Sequence, residues 1–100
     1  MTVEFSPQSV ADLQEILEFV GRDNAQAAVR LIDRLEATCQ GLSQMPAVGT
    51  KRDDLAPGLR AFSQGAYVVY FLPQTESTLR IVRIMHGRRD VKPIDFRPGR

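Results

Sequence analysis

Apolar positions along the chain change their spacing once, near its middle, and that change separates two kinds of element. Val3 and Phe5 alternate with polar neighbours, as in a short half-buried strand. Ser6-Pro7 follows: a serine side chain can accept from free backbone N–H groups, and proline suits the first helical position. Val10, Leu13, Leu17 and Val20 then recur at steps of three and four. This spacing predicts a helix with those residues on its buried face and Asp12, Glu15 and Glu18 in water. Gly21 marks its end. Asp23 or Asn24 can cap a second helix, with Ala28, Leu31, Ile32, Leu35, Cys39 and Leu42 as its buried stripe. That helix runs to about Ser43, because Pro46 prevents it from going further. So short a link predicts an antiparallel helical hairpin.

Residues 46–58 are rich in turn formers and charge and read as a loop. Beyond them the period falls to two. Strands are predicted over 59–64, 66–72 and 78–86, joined at Gly65 and through Pro73–Ser77 into an antiparallel meander. The last two are apolar on both faces, Tyr67/Val69/Phe71 against Val68/Tyr70/Leu72 and Leu79/Ile81 against Val82/Ile84, as central strands are. Residues 91–100, with Pro93 and Pro98, read as an irregular tail. The order β-α-α-β-β-β predicts one α+β domain over residues 1–100. Its N-terminal helical hairpin packs on one face of an antiparallel sheet, and the other face is partly free for a partner.

Composition changes this picture little. One hundred residues with 43% hydrophobic content suit a single modest core. No apolar run approaches the ~18 residues of a membrane helix. The first seven residues lack the basic-then-apolar pattern of a secretory signal, so a cytoplasmic protein with no membrane partner is expected. A single cysteine, Cys39, rules out an internal disulfide and a thiolate-built zinc site, and its place in the apolar stripe predicts a buried, inert thiol. Charge says more. Residues 1–50 carry three Arg against seven acidic residues, net −4; residues 51–100 carry ten Lys/Arg against five, net +5. A basic half favours an acidic partner, while an overall charge of +1 argues against indiscriminate nucleic-acid binding.

Candidate chemistry concentrates in "MHGRRD", residues 85–90. His86 is the sole histidine, the side-chain type best suited to proton transfer near neutrality. It has no second histidine with which to bind metal, and the chain has no glycine-rich phosphate loop and no recognisable Ser-His-Asp set; no metal or cofactor is expected. The adjacent Asp53 and Asp54 read as solvated loop charges. Arg60 and Arg83 interrupt apolar strands, and each must reach a carboxylate, a carbonyl or water. Two readings stay open. In one, Asp90 pairs with an arginine and His86 is a strand end satisfied by hydrogen bonds. In the other, Arg60, Arg83, His86, Arg88, Arg89 and Asp90 form a guanidinium-rich surface for a carboxylate-bearing partner or for phosphate. Tyr67 and Tyr70 read as core aromatics ahead of stacking platforms for bases.

Ser6-Pro7 at the helix start, "DLQEI" (12–16), "MPAVG" (45–49), "GLRAF" (58–62), "YVVYF" (67–71) and "LRIVRIMHGRRD" (79–90) together resemble the RelE/ParE superfamily of bacterial toxins, over nearly the whole chain. The resemblance implies the fold read above and the toxin half of a type II toxin–antitoxin pair. RelE-like members cut messenger RNA on the ribosome with basic residues on the sheet and, in many, a C-terminal tyrosine. Here Arg60 and Arg89 match that pattern, but Gly58 stands where RelE has a lysine and Tyr67 where it has an arginine. Asp95 falls at about the tyrosine position. Metal-free RNA cleavage needs groups to activate the 2′-hydroxyl, protonate the leaving oxygen and stabilise the phosphorane; Arg60 and Arg89 serve only the last. The ParE-like branch is therefore implied: a DNA gyrase inhibitor without chemistry of its own. It would be held by a ParD-like ribbon-helix-helix antitoxin whose C-terminal segment wraps it, and would meet DNA only through that antitoxin. The alternative is a ribosome-dependent endoribonuclease using His86, Arg60 and Arg89.

Overall fold

The structure, a computed structural model, describes residues 2–97; Pro98 and the rest of the expected tail beyond it lie outside the described residues. The chain runs β1 (Thr2–Phe5), α1 (Pro7–Gly21), α2 (Ala25–Leu42), β2 (Thr50–Lys51), β3 (Arg60–Gln64), β4 (Tyr67–Pro73) and β5 (Thr78–His86). A 3-10 turn, Pro93–Phe96, follows. The five strands form one sheet in the order β1-β5-β4-β3-β2. The expected meander is present, antiparallel from β3 through β5. Two features differ from a purely antiparallel sheet of four strands. β1 lies parallel to β5, pairing Val3 with Leu79 and Phe5 with Ile81. No hairpin turn sets the direction of two strands so far apart in sequence, so both directions are open to them. β2 adds a two-residue edge inside the expected loop, pairing Thr50 with Ala61 and Lys51 with Arg60.

Both helices start as their sequences require. The Ser6 hydroxyl accepts from Ser9 N–H at 3.0 Å, with Pro7 opening α1. Asn24, the second of the two candidates, accepts from Ala27 N–H at 3.0 Å to cap α2. The stripe of α2 is confirmed, with Ala28, Leu35, Cys39 and Leu42 buried and Leu31 and Ile32 partly so. That of α1 is rotated. Its buried residues are Ser9, Asp12 and Ile16, whereas Val10 and Leu17 are 44% and 40% exposed. The cause lies at its N-terminus: Ser6 N–H donates to Ile81 O and the Ser6 hydroxyl to Val82 O, at 2.9 and 2.7 Å, so the sheet fixes the helix's rotation.

Two clusters of apolar residues sit on the two sides of the sheet. Between helices and sheet lie Ile16, Leu35, Cys39, Leu42, Val69, Phe71, Leu79, Ile81 and Ile84. The pairing of β4 with β5 runs Phe71–Ile81 and then Tyr70–Arg83, skipping Val82. This bulge breaks the alternation expected for β5. Ile84 joins Leu79 and Ile81 on the helix side, while Val82 packs on the other. The far side is less free than its sequence implied. Leu55 and Leu59 from the 52–59 loop and Phe96 from the C-terminal turn cover Tyr70 and Met85 there.

Two local requirements can be tested. Gly49 has φ +86°, and a Cβ there would stand 2.4 Å from the Ala61 carbonyl oxygen. Gly49→Ala should therefore cost about 1–3 kcal/mol or more in urea unfolding, since a side chain is strained at that φ even without the clash. Burial pushes the Cys39 thiol up from 9.0 to about 12. Below pH 9 both states keep the proton. Above it only the unfolded chain gives it up, so stability should fall by up to about 1.4 kcal/mol per pH unit between 9 and 12. Cys39→Ala should flatten that decline, and a thiol reagent should label the native protein only as fast as it unfolds.

Candidate functional site

Where β1 ends at Phe5, β5 continues to His86 with no strand on its outer edge. Backbone groups on that edge need other partners. Ser6 takes the Val82 carbonyl, and Asp12 accepts the Ile84 N–H at 2.9 Å. Asp12 also receives two hydrogen bonds from Arg83, Nε and Nη2 each at 2.8 Å, in a fork-to-fork pair. The third arm of Arg83, Nη1, donates to the Asp95 carbonyl at 2.9 Å. Asp12 is only 5% exposed, contrary to its expected place on the wet side of α1. Its carboxylate raises the Arg83 guanidinium above its ordinary value, with burial opposing. One ion pair thus joins α1, β5 and the C-terminal turn.

Beside it an open groove of about 590 Å³ runs between α1 and the ends of β4 and β5. Glu15, Glu18, Phe19 and Arg22 line it from the helix, and Tyr67, Met85, His86 and Arg89 from the sheet side. Phe19 is 70% exposed. The His86 ring stands edge-on to Tyr67, 5.3 Å between centroids, and its Nδ1 accepts the Arg88 N–H at 3.1 Å. The expectation of a hydrogen-bonded strand end is thereby met. Tyr70 is a core aromatic against Phe96, whereas Tyr67 is part of the groove wall.

The guanidinium groups separate into different roles. Arg89 Nη2 binds Asp95 Oδ1 at 3.2 Å and remains half exposed. Arg88 is exposed, with no side-chain hydrogen bond among the described residues. Asp90 does not hold an arginine: its nearest cation is Lys92, at 4.0 Å in open solvent. Asp95 takes that part because the turn folds back beneath β5, which a run of adjacent charges cannot reveal. Arg60 lies elsewhere. It pairs with Phe71, four residues along β4 from Tyr67, or about 13 Å at the usual rise of a strand. Its Nε donates to Val48 O at 3.1 Å and its Nη2 to Ala47 O and Gly49 O, so it clamps the 47–49 loop. Asp53 and Asp54 are exposed loop charges. Asp53 accepts Gly58 N–H, and the Arg52 guanidinium holds the Asp54 carboxyl below the usual carboxylate range. Among the described residues, no group of three or more His, Cys, Asp or Glu could hold a metal ion, and no helix is long and apolar enough to cross a membrane.

A helical hairpin on a mixed five-stranded sheet is an arrangement that solved structures share. The chain superposes on a chain of the chromosomal ParDE toxin–antitoxin system of Pseudomonas aeruginosa with a TM-score of 0.73, at 20% identity over 86% of this chain and 95% of that one. It also superposes on a chain of the toxin–antitoxin complex RelBE2 of Mycobacterium tuberculosis with a TM-score of 0.62, at 20% identity over 85% and 95%. Sequence narrows the class. Residues 3–91 match the family described as ParE toxin of type II toxin-antitoxin system, parDE. Toxin ParE1 of Mycobacterium tuberculosis is 30% identical over 90 residues, covering 86% of this chain and 89% of the relative. Toxin ParE3 of Caulobacter vibrioides is 33% identical over 81 residues, or 80% of each. This chain belongs to the ParE toxin family.

The Asp12–Arg83 pair yields a prediction in which changing both residues costs less than changing one. Asp12→Ala alone strands a buried guanidinium and orphans the Ile84 N–H, and should cost about 3–5 kcal/mol in urea denaturation. Joint replacement, Asp12→Leu with Arg83→Met, removes both charges and should recover most of that loss.

Proposed function

We propose that this chain is the cytoplasmic toxin of a ParDE-type pair, arrests growth by binding DNA gyrase without chemistry of its own, and is neutralised by a ParD-like ribbon-helix-helix antitoxin. Membership of the ParE family supports the toxin role. The observation that carries the non-catalytic reading is the separation of Arg60 from His86 and Arg89. The ribonuclease alternative needs all three around one phosphate, yet Arg60 is spent on loop carbonyls at the other end of β4. The groove holds His86 and Arg89, three acidic residues on α1 (Asp12, Glu15 and Glu18), and no lysine. Purified protein should inhibit gyrase supercoiling and leave ribosome-bound mRNA intact. Cleaved mRNA with normal supercoiling would reverse the reading.

The groove is the surface that best suits the antitoxin. An amphipathic segment can set an apolar side chain against Phe19, Ile16 and Met85 while its acidic groups meet Arg22, Arg88 and Arg89. Of the six residues proposed for partner contact, His86, Arg88, Arg89 and Asp90 are exposed together at the end of β5; Arg83 and Arg60 act by holding the fold. Two complexes of the same fold, ParDE and RelBE2, support the pairing of toxin with antitoxin. Phe19→Ser should weaken antitoxin binding by about thirtyfold or more, as expected for a buried aromatic anchor, with the melting temperature unchanged. Equal affinity in a calorimetric titration would move the antitoxin elsewhere.

A further inference from the structure

Asp95 accepts three hydrogen bonds that do different jobs. Its Oδ2 accepts the Lys92 N–H at 2.8 Å, which caps the 3-10 turn. Its main-chain carbonyl takes Arg83 Nη1. Only the third contact, Oδ1 to Arg89, reaches a residue that lines the groove. The first two keep the turn in place whether or not the third is made. Arg89 is half exposed and Asp95 largely covered, so the arginine is the member of the pair that can be approached from outside.

We propose that Asp95 is an internal placeholder: it occupies the groove-facing guanidinium of Arg89 in the free toxin and yields it to a carboxylate of the antitoxin. This rests on the antitoxin reading above and names the chemistry of the arriving segment, which is an Asp or Glu side chain or a terminal carboxylate. At the β5 end of the groove the charge supports that occupant, whereas Glu15 and Glu18 line the helix wall opposite. Arg89 already holds a carboxylate at the rim, and across the groove Arg22 has no ion-pair partner among the described residues. The exchange is cheap. A half-exposed ion pair is replaced by another of the same kind, while the cap on Lys92 and the bond from Arg83 persist. Asp95 therefore lowers affinity without disturbing the fold, and keeps Arg89 aimed until a partner arrives.

Asp95→Asn tests this, because the amide oxygen can still cap Lys92 N–H and the main-chain carbonyl still serves Arg83. The probe is the purified ParD-like antitoxin of the reading above, titrated calorimetrically into the full-length toxin. Asp95→Asn should bind it about two- to fivefold more tightly at low salt, and the gain should shrink in high salt. Arg89→Ala should bind more weakly, and adding Asp95→Asn to that variant should change nothing further. Asp95→Glu, which keeps the charge, should bind as the parent does. Unchanged or weaker binding by Asp95→Asn overturns the placeholder alone. No binding by the parent chain overturns the antitoxin reading and the placeholder with it.

Discussion

Arg83 is the constraint around which the rest is arranged. A guanidinium in the middle of a central strand must be paired, because an isolated charge in an apolar layer costs several kcal/mol. The fold meets that requirement with a carboxylate from α1 and a carbonyl from the C-terminal turn. Asp12 does a second task at the same time, satisfying the Ile84 N–H on an edge that β1 is too short to cover. The rotation of α1, the bulge at Val82 and the return of residues 93–96 all serve this junction. The exposed side of α1 follows from it. Turning Asp12 inward swings Val10 and Leu17 toward solvent, while Phe19, two turns beyond Asp12 on the same side of the helix, is exposed and offers an apolar wall to the groove.

Much of the architecture could be read from spacing and caps. Ser6-Pro7, Asn24 and Pro46 bound the helices, and the switch from a period of three to four to a period of two marks the meander. What failed was local and had one physical origin. Apolar periodicity assumes that a polar residue on a helix faces water, and Asp12 breaks that rule because its partner is 71 residues away. The same partner explains the misassigned faces of β5. A bulge shifts alternation by one, and nothing in "LRIVRIMH" signals it except an arginine where an apolar residue is expected. An arginine there requires a carboxylate, a carbonyl or water, and the fold supplies Asp12 from across the chain where the sequence shows only Asp90 close by.

The candidate site was less legible than the fold. "HGRRD" marks the end of β5 and supplies His86 and Arg89, but the opposite wall comes from Glu15, Glu18, Phe19 and Arg22, which in sequence are only the outside of a helix. Phe19 is the one signal in the sequence, an aromatic set within the predicted polar face beside Asp12 and Glu15. Arg60 shows the reverse error. Its place in an apolar strand makes it resemble a contact residue, yet its guanidinium is taken up by the carbonyls of Ala47, Val48 and Gly49.

This division of labour among arginines bears on how one fold serves two kinds of toxin. A metal-free nuclease needs several cations converging on one phosphate, which requires strand residues whose guanidinium groups are free on a common face. In this chain Arg60 and Arg83 carry structural duties, and the two arginines at the end of β5 sit on a turn beside an exposed aromatic. That arrangement sets an exposed apolar side chain beside cations, a pattern by which a surface can recognise a peptide through shape and charge. Returning a strand arginine to catalysis would require another residue to hold the 47–49 loop or to neutralise Asp12. The cost of that replacement falls on the stability of the fold, because both arginines are held by contacts that the core and the 47–49 loop depend on.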